Sequence, residues 1–343
     1  MHVSDALISP QVGLAFWAIS VGASAYAIKK IDIENDRHQL PLVGVMGAFT
    51  FAAQMINFTI PGTGASGHLS GGLLLSVLLG PHLAFLTMMS LLLIQALFFA
   101  DGGLIAYGVN VFNMGLLSCY LIYPLVYKPL LKLLKKTRSA LIASGIMALS
   151  LGAFSVVILT TISGVSALPF KLFLWFMIPI HIVIGLVEGV VTAAIVTYVW
   201  RYAPEYKRDV TPEVMTLKKE VRLEHKTSGL RNQFLAGALL LSGVVSLYAS
   251  SHPDGLEWSI MKVASSLIES PIAPVGESIQ SWFAVFRDYE IASFYNMPLS
   301  TALSGIAGSL LTFWGMALMI KTLRFFKRKP LANAVKIGDH HNE

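Results

Sequence analysis

The sequence predicts an all-α polytopic membrane protein in which seven membrane spans precede a polar linker and two follow it. Of its 343 residues, 55% are hydrophobic and only 13% are charged, which is far more apolar than an ordinary soluble domain. Several stretches reach the roughly 20 apolar residues that a helix needs to cross the hydrocarbon core. Positive charges are concentrated in four of the segments between them, as is typical of cytoplasmic loops.

The spans are predicted near residues 12–28, 42–58, 66–80, 83–100, 106–127, 140–163, 173–200, 233–250 and 301–321. The third has the shortest apolar run, residues 73–79, before the Gly80-Pro81-His82 break. Nine spans that begin outside place 22 of the 25 Lys and Arg residues in cytoplasmic segments. Without the third span, the basic loop 128–138 would lie outside, against the positive-inside rule. We therefore expect the N-terminus outside and the C-terminus in the cytoplasm.

The net charge of +6 follows from this topology. Because the cations are spread over four membrane-edge segments, we expect a lipid bilayer and no nucleic acid as the surroundings of the chain. The single cysteine, Cys119, lies in an apolar span, which argues against a disulfide or redox function. The sequence contains no Gly-x-x-x-x-Gly-Lys-Ser/Thr loop, so this chain carries no P-loop ATPase.

A change in composition near residue 201 divides the chain. The predicted parts are a transmembrane domain (1–200), a basic cytoplasmic linker (201–232), a two-span module (233–322) and a cytoplasmic tail (323–343). The module carries an outer loop, residues 251–300. From its side and length, we hypothesise that this loop covers the outer entrance and assists metal loading.

The first two residues, Met1 and His2, form a potential metal chelate. The start lacks the basic region of a secretory signal, and a histidine second in the chain is too bulky for removal of the initiator methionine. The free amine of Met1, the backbone nitrogen of His2 and its imidazole can close fused five- and six-membered rings around one ion. These three nitrogens lie nearly in a plane.

The fourth donor of such a site is sought among three histidines of the membrane domain, His68, His82 and His181. His68 is our choice, because it lies in a glycine-rich stretch, residues 61–72, on the same predicted side as Met1. Glycines let a side chain and a peptide group approach closely. The alternative is a flexible surface loop with a solvated histidine. His82 follows Gly80-Pro81 at the predicted inner end of its span, where a turn or interface role is favoured.

Further polar residues are candidates for groups that orient the ligands. They are Asp101, Asn110, Asn113, His181 and Glu188. His181 and Glu188 fall on one helical face, and helix-packing hydrogen bonds or loop caps explain all five about as well. Four nitrogens in a plane suit Ni(II), low-spin Co(II) or Cu(II) better than Mg(II), Ca(II) or tetrahedral Zn(II).

Six short motifs are distributed over the first 200 residues. They are Met1-His2 with Ser9-Pro10, Phe51-Ala-Ala-Gln-Met-Ile-Asn-Phe58, Ser66-Gly-His-Leu-x-Gly-Gly72, Asp101-Gly-Gly103, Asn110-Val-Phe-Asn-Met114 and His181-Ile-Val-Ile-Gly-Leu-Val-Glu188. In combination they resemble the metal-capturing M-type component, CbiM or NikM, of nickel and cobalt energy-coupling factor transporters, over residues 1–200. The segment Ser250-Ser-His-Pro-Asp-Gly-Leu-Glu257 resembles the hallmark of the accompanying N-type component. Residues 3–8 depart from the family pattern, which affects the packing of the terminus and not the two chelating residues.

The resemblance implies a seven-helix substrate-binding bundle with a two-helix C-terminal module, in a bacterial or archaeal plasma membrane. It implies a metal held by the Met1 amine, the His2 amide and imidazole, and His68. It also implies a transmembrane T-type coupling protein and cytoplasmic ATP-binding subunits as partners.

We therefore expect the substrate-specific subunit of an ATP-driven nickel importer, which is no enzyme and binds no permanent cofactor. The fusion of the N-type module resembles nickel systems more than cobalt systems, which favours Ni(II), and a cobalt importer that supplies cobalamin synthesis is the alternative, with Co(II) as cargo. An intramembrane metal-dependent hydrolase using His181 and Glu188 is a distant alternative, because the His-Glu-x-x-His pattern is absent from the sequence. A metal sensor would be favoured by an added signalling domain, and none is visible after the last span.

Overall fold

Long helices form most of the computed structural model, which describes residues 2–33, 39–206, 220–264, 275–291 and 297–338. In chain order they are α1 (Pro10–Lys30), α2 (Leu40–Gln54), α3 (Gly72–Leu79), α4 (Pro81–Phe99), α5 (Tyr107–Leu134), α6 (Thr137–Ser163), α7 (Phe170–Tyr202), α8 (Glu220–Gly243), α9 (Gly255–Ala264), α10 (Val275–Phe283) and α11 (Met297–Gly338). Strands β1 (Phe58–Ile60) and β2 (Ala65–Gly67) form an antiparallel hairpin between α2 and α3. Short 3-10 turns cover Asp5–Leu7, Pro204–Tyr206, Val245–Tyr248 and Arg287–Tyr289.

Within the described residues, seven helical segments are long and apolar enough to cross a membrane. They are α1, α4, α5, α6, α7, α11, and α8 with the 3-10 turn that follows it. The prediction of a helical multi-pass membrane protein is confirmed, since these seven correspond to seven of the nine predicted spans.

The predictions for spans 42–58 and 66–80 are wrong in extent. Helix α2 has 15 residues and ends at Gln54, after which the chain enters β1 at Phe58. Helix α3 has eight residues, or about 12 Å at 1.5 Å per residue, too short to cross a bilayer alone. Both helices are almost entirely buried in the protein, so their apolar composition reflects the protein core and not the length of a membrane crossing.

The chain between β2 and α3 lies inside the helical bundle. The carboxylate of Glu188, on α7, accepts hydrogen bonds from the backbone amides of Ser70 at 2.7 Å and Gly71 at 3.1 Å. Irregular backbone is tolerated at membrane depth only where protein surrounds it and satisfies its polar groups. Gly71 has a φ of 76°, a left-handed conformation that favours glycine.

Helices α6 and α7 pack closely along their backbones. A Cβ atom added at Gly145 would lie 2.7 Å from the Cα of Gly189. Small residues at such contacts let helix backbones approach within the membrane. This contact holds α7 in place, and α7 in turn carries His181 and Glu188.

The second module packs on α2. Helices α8 and α11 both lie against α2 and against each other, which explains the burial of nearly every residue of α2. Helix α8 begins at Glu220, inside the predicted linker, whose residues 207–219 lie outside the described part of the chain. Helix α11 continues into the predicted tail, of which residues 339–343 also lie outside that part.

Candidate metal site

The amino-terminal segment is held inside the first domain through its backbone. The amide of Val3 donates to Asn110 Oδ1 at 2.8 Å, and Asn110 Nδ2 donates back to the carbonyl of Val3 at 3.0 Å. The amide of Gly103 donates to the same carbonyl, at 3.0 Å, and Asp5 Oδ1 accepts from the amide of Ala106 at 2.9 Å. The Val3 side chain is also fully buried. These contacts fix the backbone of the segment, and Asn110 thereby positions Val3, the residue next to His2.

The rings of His2 and His68 lie against each other in the structure. Their centroids are 5.1 Å apart and their planes differ by 11°. The His68 side chain is 7% exposed, so the alternative of a solvated histidine in a flexible surface loop does not describe it. Met1 lies outside the described residues, and the structure therefore gives the surroundings of its predicted partners without its amine.

Asp101 connects His2 with the second module. Its Oδ1 lies 3.0 Å from His2 Nδ1, and its Oδ2 accepts a hydrogen bond from the Tyr289 hydroxyl at 2.5 Å. Burial raises the pKa of Asp101, but the charge and hydrogen bond of His2 and the bond from Tyr289 outweigh this and hold the pKa well below its ordinary value. Asp101 is therefore a carboxylate, suited to orient an imidazole.

The second ring nitrogen of His2, Nε2, is buried and has no hydrogen-bond partner among the described residues. A terminal chelate needs the other nitrogen, because only Nδ1 closes a six-membered ring with the backbone nitrogen of the same residue. In the structure, Nδ1 faces Asp101. A half-turn of the ring about the Cβ–Cγ bond exchanges Nδ1 with Cδ2 and Nε2 with Cε1.

His68 is oriented by its own backbone and by the second module. Its Nδ1 lies 3.1 Å from the carbonyl oxygen of Leu69, which only accepts hydrogen bonds, so Nδ1 carries the proton. Its Nε2 lies 3.7 Å from Asp254 Oδ2. Burial is the largest cause of a lowered pKa at His68. This favours the neutral imidazole, the form that binds metals.

Asp254 was not predicted as a site residue, and its position follows from a capping box at the start of α9. Its Oδ1 accepts hydrogen bonds from the amides of Leu256 and Glu257, both at 2.9 Å. Glu257 Oε2 accepts from the amide of Asp254 at 3.2 Å. The Asp-x-x-Glu spacing is visible in the sequence and signals this cap, whereas its contact with His68 is set by tertiary structure.

The second module docks on the β-hairpin next to this site. The amide of Ser250 donates to the Asn57 carbonyl, and the amide of Ser66 donates to the Pro253 carbonyl, each at 2.8 Å. Trp258 Nε1 also donates to the Thr63 carbonyl at 3.0 Å. These contacts bring the segment 250–258 against the loop that carries His68.

The other predicted residues have different positions. Glu188 holds the backbone after His68, as described above, while Asn113 Oδ1 accepts a hydrogen bond from Ser155 Oγ at 2.7 Å. His181 lines a small cavity together with His68 and Asp254. His82 Nδ1 lies 3.0 Å from the Tyr120 hydroxyl and is not among the residues gathered here.

In the part of the chain that the structure describes, no group of three His, Cys, Asp or Glu side chains is arranged to hold a metal ion. A site here consequently depends on main-chain nitrogen donors, as a terminal chelate does. The hydrolase alternative finds no support in this geometry, because Glu188 is bound to two backbone amides and lacks a three-ligand metal centre beside it.

Two family models match different parts of the chain. Residues 2–206 match CbiM, described as the cobalt uptake substrate-specific transmembrane region, and residues 230–325 match the PDGLE domain. A truncated transition metal transporter of known structure is 28% identical, with a TM-score of 0.53, over 59% of this chain and 99% of that structure.

Three relatives illustrate the range of similarity. The fused nickel transport protein NikMN of Rhodobacter capsulatus is 29% identical over 93% of this chain and 96% of its own length. The probable fused nickel transport protein LarMN of Lactiplantibacillus plantarum is 31% identical over 91% and 95%. The cobalt transport protein CbiM of Geobacter sulfurreducens is 29% identical over 60% of this chain and 61% of its own length.

Proposed function

Because this chain belongs to the CbiM family and carries a PDGLE domain, we propose that it is the metal-capturing subunit of an ATP-driven nickel importer. Its relatives are metal transport proteins, and the chain is a multi-pass membrane component of nickel or cobalt transport, not an enzyme.

The capture site of our proposal is a plane of four nitrogens, from the Met1 amine, the His2 amide, the His2 imidazole and His68. The observation that carries it is the parallel approach of the His2 and His68 rings, 5.1 Å apart. It is supported by the hydrogen bonds that fix Val3, since they hold the backbone directly after His2.

In the nickel-loaded site, the His2 ring takes the orientation that turns Nδ1 to the metal. The half-turn moves Nε2 toward the side on which Asp101 lies, where its N–H donates to the carboxylate. Metal-ligating histidines commonly donate their second ring N–H to a carboxylate, which fixes the tautomer and makes the ligand more basic. The hydroxyl of Tyr289 donates a hydrogen bond to Asp101. Through this bond, the second module helps to orient the His2 ring.

Nickel is the proposed cargo for two reasons. Four nitrogens in a plane suit Ni(II), and two relatives named as fused nickel transport proteins match more than nine-tenths of this chain. A relative named as a putative fused nickel transport protein and one named as a cobalt transport protein each match 60% of it. Co(II) remains the alternative cargo, because a planar nitrogen site also accepts low-spin Co(II).

Membership of the CbiM family implies transport partners, and the sequence, which contains no P-loop, agrees with this. We propose a transmembrane T-type coupling protein and cytoplasmic ATP-binding subunits, which supply the energy that this chain cannot. The proposed orientation, with the N-terminus outside, places the capture site on the side from which the metal enters.

Uptake of labelled nickel by cells that produce this chain with its partner subunits tests the proposal. We expect the cells to accumulate labelled nickel, and accumulation to stop when the ATP-binding subunits are inactivated. We also expect unlabelled nickel to suppress accumulation more strongly than cobalt at equal concentration. Equal or stronger suppression by cobalt would favour the alternative cargo. Accumulation that is unchanged after ATPase inactivation would contradict ATP-driven import.

Nickel affinity should fall as the pH decreases from about 8 to 5. An α-amine has an ordinary pKa of about 7.7–8.0, so the proton displaces the metal from the amine first. The lowered pKa of His68 means that protonation of this imidazole weakens binding only at more acidic pH. We expect a loss of about tenfold or more per pH unit below the amine pKa, measured by titration calorimetry. A flat profile would argue against these ligands.

A further inference from the structure

An open groove of about 530 Å³ runs between helices α6 and α7 and carries an arginine from each of them, Arg138 and Arg201. The two helices are antiparallel and in close contact, since a Cβ atom added at Gly189 would lie 2.6 Å from the Cα of Ile142. Arg138 is the second residue of α6, and Arg201 is the last but one of α7. Both arginines therefore lie at the same end of the helix pair, where α7 leaves the membrane.

The two guanidinium groups make this end of the groove strongly positive. Both arginine side chains are exposed, and in the part of the chain that the structure describes no carboxylate forms an ion pair with either of them. Arginine keeps its charge at all physiological pH values, and its planar fork binds phosphate oxygens in pairs. The charged end of the groove is therefore suited to a phosphate group.

The other end of the groove is apolar and lies deeper in the membrane. The groove extends along α7 from Arg201 to Val190, a separation of about 16 Å at 1.5 Å per residue. One leaflet of the hydrocarbon core, half of about 30 Å, has nearly the same depth. Ala193 and Val190 line the deep end, whereas Tyr198 and Tyr202 lie nearer Arg201, as is typical of tyrosine at the membrane interface.

A second groove of about 510 Å³ adjoins the first, with Ala194 and Tyr198 in the wall of both. It lies between the first domain and the second module, because Phe49 of α2 and Phe234 of α8 also line it. The Tyr198 hydroxyl donates to Gln233 Oε1 of α8 at 3.1 Å, a direct contact between the two parts of the chain. Two apolar grooves thus meet beside one positively charged end.

We propose that the joined grooves bind one anionic phospholipid, with its phosphate between Arg138 and Arg201 and its acyl chains beside Val190 and Phe234. Two arginines favour a lipid with a net negative charge, such as phosphatidylglycerol, over phosphatidylcholine, whose ammonium group offsets its phosphate. Bound in this way, the lipid fills the space between α7 and α8 and strengthens the contact of the second module with the first domain. The site does not depend on which metal the chain carries.

Native mass spectrometry of the full chain in detergent, titrated with phosphatidylglycerol or phosphatidylcholine, tests this site through the dissociation constant of the first bound lipid. We expect phosphatidylglycerol to bind more tightly. Arg138→Gln and Arg201→Gln should each weaken its binding about fivefold, the effect of one basic residue near an anionic membrane surface. The corresponding Lys variants keep the charge and should retain most of the affinity. Lys132→Gln is the matched control, because Lys132 is exposed and lines neither groove.

Ala194→Phe tests the acyl chains separately, because it fills the junction of the grooves and leaves both arginines in place. It should also weaken phosphatidylglycerol binding, with circular dichroism of the same sample verifying intact helices. Inorganic phosphate at millimolar concentration should not displace the lipid, since it has no acyl chain. Equal affinity for the two lipids, an equal loss in Lys132→Gln and Arg138→Gln, unchanged affinity in Ala194→Phe, or displacement by inorganic phosphate would each overturn the proposed lipid site.

Discussion

Adding two residues before Met1 will abolish tight nickel binding. A single added residue is unsuitable, because it would make the histidine third in the chain, where an amine, two amides and the imidazole form another planar four-nitrogen chelate. The extension converts the amine that closes the five-membered chelate ring into an amide and moves the new amine away from the His2 imidazole. Changes in groups that only orient metal ligands cost about 10–100-fold in affinity, so the loss of a direct ligand should exceed about 100-fold. Titration calorimetry with Ni(II) on the purified chain measures it.

Two residues added at the C-terminal end are the matched control for this extension and should leave the affinity unchanged. Intact-mass measurement establishes that the reference protein begins with an unmodified Met1 and that the extension is retained. Nickel affinity that is equal in the reference and the amino-terminally extended chain would refute the terminal chelate, whatever other ligands then proved to hold the ion.

Replacing His68 by alanine will also remove tight nickel binding. The site loses its fourth nitrogen, and the loop of Ser70 and Gly71 remains bound to Glu188, so the fold of the segment is preserved. We again expect a loss of at least about 100-fold, more than the effect of removing an orienting group. Nickel titration by calorimetry measures the loss, and circular dichroism of the same sample verifies that the helices are intact.

His82→Ala serves as the control for His68→Ala, because His82 lies beside Tyr120 and outside the gathered residues. Its nickel affinity should equal that of the native chain. If His68→Ala binds nickel as the native chain does, His68 is not the fourth ligand. If His82→Ala loses binding to the same extent, histidine loss acts through the fold and the assignment of His68 is wrong.

Hydropathy predicted the long helices well, because length and apolar composition are what a membrane crossing requires. It failed at α2 and α3, which are apolar for a different reason. Protein surrounds both helices, and hydropathy does not distinguish a residue facing lipid from one facing a protein core. The carboxylate of Glu188 accepts hydrogen bonds from two backbone amides that the short helix α3 does not include. No local pattern in the sequence predicts this contact.

The candidate site was only partly predictable. His2, His68 and Asp101 stood out from the chemistry of the terminus and from polar residues in an apolar chain, and the structure brings them together. Asp254 and Tyr289 did not stand out. Tyr289 is 188 positions from Asp101 in the chain. The two residues come into contact only because the second module docks on the first domain. The Asp-x-x-Glu cap was readable locally, whereas the approach of Asp254 Oδ2 to His68 depends on the fold.

The proposed amide ligand of His2 distinguishes the capture site from a simple cluster of histidines. A deprotonated amide, an amine and two imidazoles enforce a planar field around nickel, whereas side chains and water alone would give a higher coordination number. The neutral His68 imidazole and the ionised Asp101 are consistent with a site prepared for a cation.

Nickel K-edge X-ray absorption of the purified full chain with one equivalent of Ni(II) tests the four-nitrogen plane most directly. We predict a four-coordinate, planar nickel with only nitrogen neighbours, and the loss of this spectrum in the chain extended before Met1. A six-coordinate nickel with oxygen neighbours, unchanged by that extension, would contradict the proposed capture site.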